Sequence, residues 1–380
     1  MDEFNISNDD SQFDANKQKL LEIANSMLNI TNKSSNKIIF IYSKPKVGST
    51  TLVTSIRLFA SHIYNVIHIH DELMLKVLGK IENITINEII LFNKSIGKEV
   101  YVIDVYRSPI ERKISTFFEK IDSYHFNNTC SEINNYDIHK LIFRFNKIFE
   151  YIGNGDNFLD VYNISVPERF DYEKKVVLLD NNGIKYIKLR LKDSDIWDTI
   201  LSDILSVPIK IVKDYETSEK NINHAYQKFK KNYKIPSNFL DKISTCKYLQ
   251  YYYSPEEIKE YIESWSTQTT DNFTGFTQDE YNMYEYVSLD NSYRDVIQTH
   301  HYLDEGCVCQ ACSLKRKHIV SQILQGDTFK WRIYHEESKQ ELINMQINKY
   351  KNINTLLKHN LKNKKTNKNI LSLQNIVGLR

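Results

Sequence analysis

IIFIYSKPKVGSTTLVTSI, residues 38–56, contains strand, loop and helix signals in succession. The run KIIFIY (37–42) is short and continuously apolar, as a strand buried on both faces should be. Pro45 and Gly48 then punctuate a loop. TTLVTSIRLFASHIY (50–64) has helical spacing. A loop that joins a parallel strand to the next helix lies at the carboxyl edge of the sheet, where ligands bind. The helix start offers unpaired N–H groups and the positive end of its dipole. Gly48 lets the backbone come close to an anion, Ser49, Thr50 and Thr51 supply hydroxyls, and Lys46 supplies a charge. Lys46, Val47, Gly48, Ser49, Thr50 and Thr51 are therefore the expected phosphate cradle.

Outward from this unit, NVIHIH (65–70) and KEVYVIDVY (98–106) read as the second and third strands. Strand, helix, strand, helix, strand implies a parallel sheet with crossover helices. The third strand runs into RSPIERKIS (107–115). Ser108, Pro109 and Glu111 predict an N-cap, a proline at the first helical position and a capping box. Ile110, Ile114, Phe117 and Ile121 form the apolar stripe of this helix, and Ser115 flanks it. Arg107 at the strand end, with a serine two turns into the helix, suits a terminal phosphate. Further strands are expected at 176–180 and 185–191, and helices at 137–151, 194–205 and 255–265.

The nucleoside triphosphatase loop needs G-x-x-x-x-G-K-[ST]. Here the first glycine is missing and Lys46 precedes Gly48. A P-loop kinase is thereby demoted. P-K-V-G-S-T-T-L (45–52) instead resembles the 5′-phosphosulfate loop of sulfotransferases that use 3′-phosphoadenylyl sulfate (PAPS). R-S-P-I-E-R-K-I-S resembles their 3′-phosphate motif, an arginine followed eight residues later by a serine. The resemblance covers residues 37–121 and continues more weakly to about 265. There NINHAYQKFKK and YYYSPEEIKEYIESW are similar to sulfotransferase-like proteins linked to capsular polysaccharide synthesis.

The resemblance implies an α/β, P-loop-like three-layer fold with a central parallel sheet flanked by helices. It implies sulfuryl transfer from PAPS to a hydroxyl of a carbohydrate or other small acceptor, releasing adenosine 3′,5′-bisphosphate. Lys46 would sit on the leaving phosphate, and no metal is required. The family's glycine-rich donor motif near the C-terminus is absent, so the base-binding residues stay unassigned. A non-catalytic nucleotide-binding or scaffold protein of the same fold is the alternative, beside the kinase.

Transfer to a hydroxyl needs a general base near neutral pKa. His68 and His70 alternate with Ile67 and Ile69 on the second strand, so they share a face. His70, nearest the carboxyl end, is the favoured base, with Glu72 and His68 behind it. Arg190 and Asp193 are expected to form a structural ion pair.

The rest of the chain sets limits. Lys+Arg 50 against Asp+Glu 48 leaves a net charge of +2, which gives no field for nucleic acid. No apolar run reaches the ~18–20 residues that cross a bilayer. The acidic, polar start lacks a signal-peptide pattern. A cytoplasmic protein acting on a small molecule or glycan is expected.

The expected organisation is a polar segment and helix (1–36), the α/β domain (37–265) and a mainly helical extension with a basic tail (266–380). The N-terminal helix should bury Leu20, Ile23, Met27 and Ile30, and 264–282 reads as a polar linker. Cys307, Cys309 and Cys312, with His300, His301 and His318 nearby, carry zinc-ligand chemistry. One C-x-x-C overlapping a C-x-C is short of two knuckles, so buried or redox-active thiols are preferred to zinc.

Overall fold

A computed structural model of the chain describes residues 15–289, apart from 31–34, 80, 120, 127 and 214–219. Helix α1 (Ala15–Met27) leads into β1 (Lys37–Tyr42), α2 (Ser49–Ala60) and β2 (Tyr64–Ile69). Helices α3 (Glu72–Gly79) and α4 (Ile86–Ser95) precede β3 (Glu99–Tyr106) and α5 (Pro109–Glu119). Then come α6 (Cys130–Asn134), α7 (Ile138–Ile148), α8 (Asn157–Asp160), β4 (Val176–Asn181) and β5 (Ile184–Arg190). The remainder is α9 (Trp197–Leu205), α10 (Asn223–Asn232), β6 (Ile235–Pro236), α11 (Ser237–Ser244), α12 (Lys247–Tyr252), α13 (Pro255–Ser266), β7 (Thr269–Thr270) and α14 (Gln278–Leu289).

The five-stranded sheet has the order β2-β1-β3-β5-β4. Strands β2, β1, β3 and β5 are parallel, and β4 is an antiparallel edge. The parallel strands are apolar on both faces because helices cover both faces. On one face Ile39, Ile41, Val66 and Ile103 pack with Leu52, Val53 and Ile56 of α2 and Leu201 of α9. On the other, Phe40, Ile69 and Val102 pack with Ile110, Ile114 and Phe117 of α5 and with α4 and α7. The fold is α/β, with a mostly parallel sheet between helices.

Four sequence readings change. In α1 the buried residues are Leu21, Ala24 and Asn25, whereas Leu20, Ile23 and Met27 are exposed. The Asn25 amide exchanges hydrogen bonds with Asn93 of α4 at 3.1 and 2.8 Å. A buried amide must be paired, and that pairing turns the helix. Strands β4 and β5 form a hairpin, because Asn182 and Gly183 both take positive φ (53° and 73°). Two such residues make the turn that matches strand twist.

The third change concerns the stretch read as a linker. β7 pairs with β6, Phe276 N donates to Lys147 O at 2.8 Å, and Tyr284 is buried against His125. Aromatics spaced through a polar segment staple it down, so the packed unit runs past residue 265 into α14. The fourth concerns the start of α5. Ser108 Oγ bonds Tyr253 OH at 2.7 Å, and Glu111 accepts from Tyr261 OH and Trp265 Nε1. Tyr261 OH accepts from Ile110 N at 3.2 Å. Tyr253, just before α13, and Tyr261 and Trp265 within it thus take over the work of the expected capping box. Cys307, Cys309, Cys312 and the basic tail lie outside the described residues.

Candidate anion-binding site

Strand β1 lies between β2 and β3. The chain leaves β1 to form β2 on one side, then returns to form β3 on the other. This is a topological switch point, and the crevice above it is where open α/β sheets bind ligands. The loop after β1 and the strand end at Arg107 flank that crevice.

In the loop, Lys46 and Gly48 both have positive φ (67° and 91°). The φ of Gly48 strains any side chain, and a Cβ there would lie 2.7 Å from Leu191 Cδ1, which would have to shift. Val47 is buried in the α2-side core and anchors the loop. Ser49 opens α2, whose first turn contains no acidic residue. Its hydroxyl lies 3.1 Å from His68 Nε2. Thr50 and Thr51 follow, half-buried. The positive end of the helix dipole favours an anion here.

Arg107 Nη1 donates to Lys46 O at 3.0 Å, which ties the second predicted motif to the first. Among the described residues Arg107 forms no ion pair with a carboxylate. Burial pulls its pKa down, while Tyr226, Glu111 and Tyr261 push it back up. Ser115 is buried on α5, and its hydroxyl forms no hydrogen bond among the described residues.

Two cations between Arg107 and Ser115 were not singled out by sequence reasoning. Arg112 reaches Pro45 O, Gly155 O and Asn154 O at 3.4, 2.6 and 3.1 Å. It locks α5 to the phosphate-type loop. Lys113 Nζ donates to Phe149 O, Ile152 O and Asn154 Oδ1, each at 2.7 Å. Burial, and then the Arg112 charge, bring its pKa down to about 7. Lys113 caps the end of α7 and so fixes the helix that carries Ser115.

Lys46 Nζ pairs with Glu119 Oε2 at 2.8 Å, and Lys220 Nζ bonds the same oxygen. Burial raises the Glu119 pKa, but Lys46 and Lys220 outweigh it and hold the carboxyl well below its ordinary value. Glu119 stands one turn beyond Ser115 on α5, a signal that helical spacing does contain. Lys220 is 101 residues from Glu119, so no local spacing could have linked them.

His70 Nδ1 lies 2.7 Å from Ser43 O. A carbonyl only accepts, so Nδ1 carries a proton in this contact. The rings of His68 and His70 meet edge to face at 4.6 Å, both buried beside the loop. Glu72 is exposed, and its carboxylate accepts from Ile86 N at 3.4 Å, turned toward the start of α4. The two histidines thus sit together at the loop, and Glu72 sits apart.

Behind the crevice lies a polar network. Lys188 Nζ pairs with Asp104 at 2.7 Å and Asp156 at 2.6 Å, and Tyr252 OH donates to Asp156 at 2.7 Å. Phe158 N and Val105 N also donate to Asp104. Arg190 pairs with Asp193 at 2.6 Å and Glu257 at 2.7 Å. These groups hold β3, β5, α8 and α13 in register under the site.

Among the described residues, no group of three His, Cys, Asp or Glu is arranged to hold a metal ion. No helix there is long and apolar enough to cross a membrane. The chain matches no protein-family model, no curated protein and no solved structure.

Proposed function

We propose that this protein is a PAPS-dependent sulfotransferase acting on a hydroxyl of a carbohydrate or another small acceptor. The P-loop-like reading of the fold belongs to the same proposal. One observation carries it most: Arg107, from the 3′-phosphate-type motif, is hydrogen-bonded to Lys46, from the phosphosulfate-type loop. Two separate sequence motifs, each read as an anion site, are thus joined by a hydrogen bond. A ligand with separate phosphate groups on one nucleoside suits that arrangement better than a single phosphate.

Residues 46–51, through backbone N–H groups, hydroxyls and the Lys46 ammonium, would take the 5′ phosphosulfate. Arg107 and Ser115 would take the 3′-phosphate. In the reaction the acceptor oxygen attacks sulfur, and the sulfur–oxygen bond to the 5′-phosphate breaks. The bonding pair leaves on the phosphate oxygen, where Lys46 offsets the growing charge. The acceptor proton passes to His70 Nε2. His68, on Ser49, would orient the loop hydroxyl. Such displacements depend on positioning and charge stabilisation.

The test is transfer of labelled sulfate from PAPS to a panel of glycans and small alcohols by the full chain. Turnover that is lost in Lys46→Ala and Arg107→Ala supports the reading. Turnover untouched by both substitutions overturns the site. Bisphosphate binding without turnover, indifferent to His70→Ala, would favour a non-catalytic nucleotide-binding protein.

A further inference from the structure

We propose that Tyr226 is a third ligand of the 3′-phosphate, its hydroxyl donating to the group that Arg107 and Ser115 hold. The proposal rests on the donor reading above, which puts that phosphate at Arg107. Tyr226 lies in NINHAYQKFKK (221–231), far along the chain from both anion motifs.

The fold brings it back to them. Asn134 Nδ2 donates to Asn221 O at 2.8 Å, and Asn134 Oδ1 accepts from Ala225 N at 2.9 Å. These bonds hold the start of α10. The rings of Tyr226 and Phe229 then each meet the ring of Phe118 on α5, with centroids 5.2 Å apart. Phe118 stands three residues after Ser115, and side chains at that spacing are neighbours on a helix surface. Tyr226 is therefore laid against the part of α5 that carries Ser115. It also stands close to Arg107. Burial lowers the Arg107 pKa, and Tyr226 opposes this more strongly than Glu111 or Tyr261 does.

Two other tyrosines near the start of α5 are already committed. Tyr253 OH bonds Ser108 Oγ at 2.7 Å. Tyr261 OH donates to Glu111 at 2.8 Å and accepts from Ile110 N at 3.2 Å. Among the described residues the hydroxyl of Tyr226 forms no hydrogen bond, although the side chain is half-buried. The same holds for the hydroxyl of Ser115. Arg107 gives one donor to Lys46 O. The Glu111 carboxylate accepts from Tyr261 and Trp265 instead. One guanidinium and two hydroxyls thus lack an acceptor, which a phosphate group supplies to all three. Burial raises the Tyr226 pKa, Arg107 lowers it and Glu111 raises it again. The net rise keeps the phenol protonated at neutral pH, as a donor must be.

The competing account makes Tyr226 a packing residue whose ring secures α10 on Phe118. Tyr226→Phe keeps the ring and removes only the hydroxyl. Titration calorimetry of the full chain with adenosine 3′,5′-bisphosphate and with adenosine 5′-phosphate separates the two accounts. The variant should bind the bisphosphate roughly ten-fold more weakly and the 5′-phosphate as wild type does. In an Arg107→Ala background the same substitution should cost much less, because ligands of one phosphate are coupled.

If Tyr226→Phe binds both nucleotides as wild type does while Arg107→Ala loses the preference for the bisphosphate, Tyr226 only packs. The proposal then fails and the donor reading stands. If Tyr226→Phe weakens both nucleotides equally, Tyr226 holds a part common to both, and the proposal fails as well. If the wild type itself shows no preference for the bisphosphate, the donor reading falls and the role of Tyr226 falls with it.

Discussion

Arg107 Nη1 donates to the carbonyl oxygen of Lys46 at 3.0 Å. The bond joins the end of β3 to the loop after β1, across the switch point of the sheet. It also has a chemical consequence. A guanidinium that spends one donor on the loop backbone still has the rest of its fork for a phosphate.

Arg107→Ala should therefore remove selectivity for the 3′-phosphate. Calorimetry should show the wild type binding adenosine 3′,5′-bisphosphate at least roughly ten-fold more tightly than adenosine 5′-phosphate. The variant should bind the two nearly alike. Selectivity that survives the substitution would place the 3′-phosphate elsewhere.

Gly48→Ala should strain the loop for two reasons. Its φ of 91° disfavours a side chain, and the new Cβ would meet Leu191 at 2.7 Å. Chemical denaturation should show a loss of about 1–3 kcal/mol. Bisphosphate binding should fall as well. A fully stable variant with unchanged binding would mean that the loop relaxes without moving its amides.

Lys113 gives stability a pH dependence whose sign can be worked out. Burial brings its pKa in the fold to about 7, from an ordinary value of 10.5. Between those values the unfolded chain holds a proton that the folded chain does not. Its contribution to stability therefore rises with pH there, by up to about 1.4 kcal/mol per pH unit. Below about 7 both states are protonated and the dependence ends. The difference between wild type and Lys113→Met, measured by urea unfolding from pH 6 to 10, should follow that course. A difference that does not change with pH would show that Lys113 stays charged in the fold.

Lys188→Met should be severe, because it leaves Asp104 and Asp156 facing each other without their cation. Removing one partner of a buried ionic network costs roughly 3–5 kcal/mol. Urea unfolding at pH 7 measures it. A loss under about 1 kcal/mol would mean that one carboxyl takes up a proton and the network rearranges.

Local spacing made part of this fold legible. Strands β1, β2 and β3 are buried on both faces, so each is dominated by apolar residues, with Asn65, His68 and Asp104 as buried polar exceptions. Helices α2 and α5 follow loops whose glycine or proline marks the boundary. The hairpin of β4 and β5 was also written locally, as Asn182-Gly183, although strand runs alone do not reveal its direction. The exposed stripe of α1 shows the limit of periodicity. Leu20, Ile23 and Met27 have helical spacing, yet the pairing of Asn25 with Asn93 decides which face is buried.

The candidate site divides in the same way. Lys46, Gly48, Ser49, Arg107 and Ser115 stand in short motifs, and so can be read from the chain. Glu119 was within reach, one helical turn past Ser115. Lys220 was not, since only the docking of α10 on α5 brings it to Glu119. The tyrosines that receive Ser108 and Glu111 also come from distant segments, which is why a local capping box was expected in their place.

The most direct measurement of the central claim is thermal unfolding of the full chain with adenosine 3′,5′-bisphosphate and, separately, with Mg-ATP. A ligand that binds only the folded state raises the melting temperature, and the rise grows with the logarithm of ligand concentration above its Kd. The account predicts a dose-dependent rise with the bisphosphate, absent in Lys46→Ala and Arg107→Ala, and little change with Mg-ATP. A larger rise with Mg-ATP, or a bisphosphate effect that both variants retain, would contradict it.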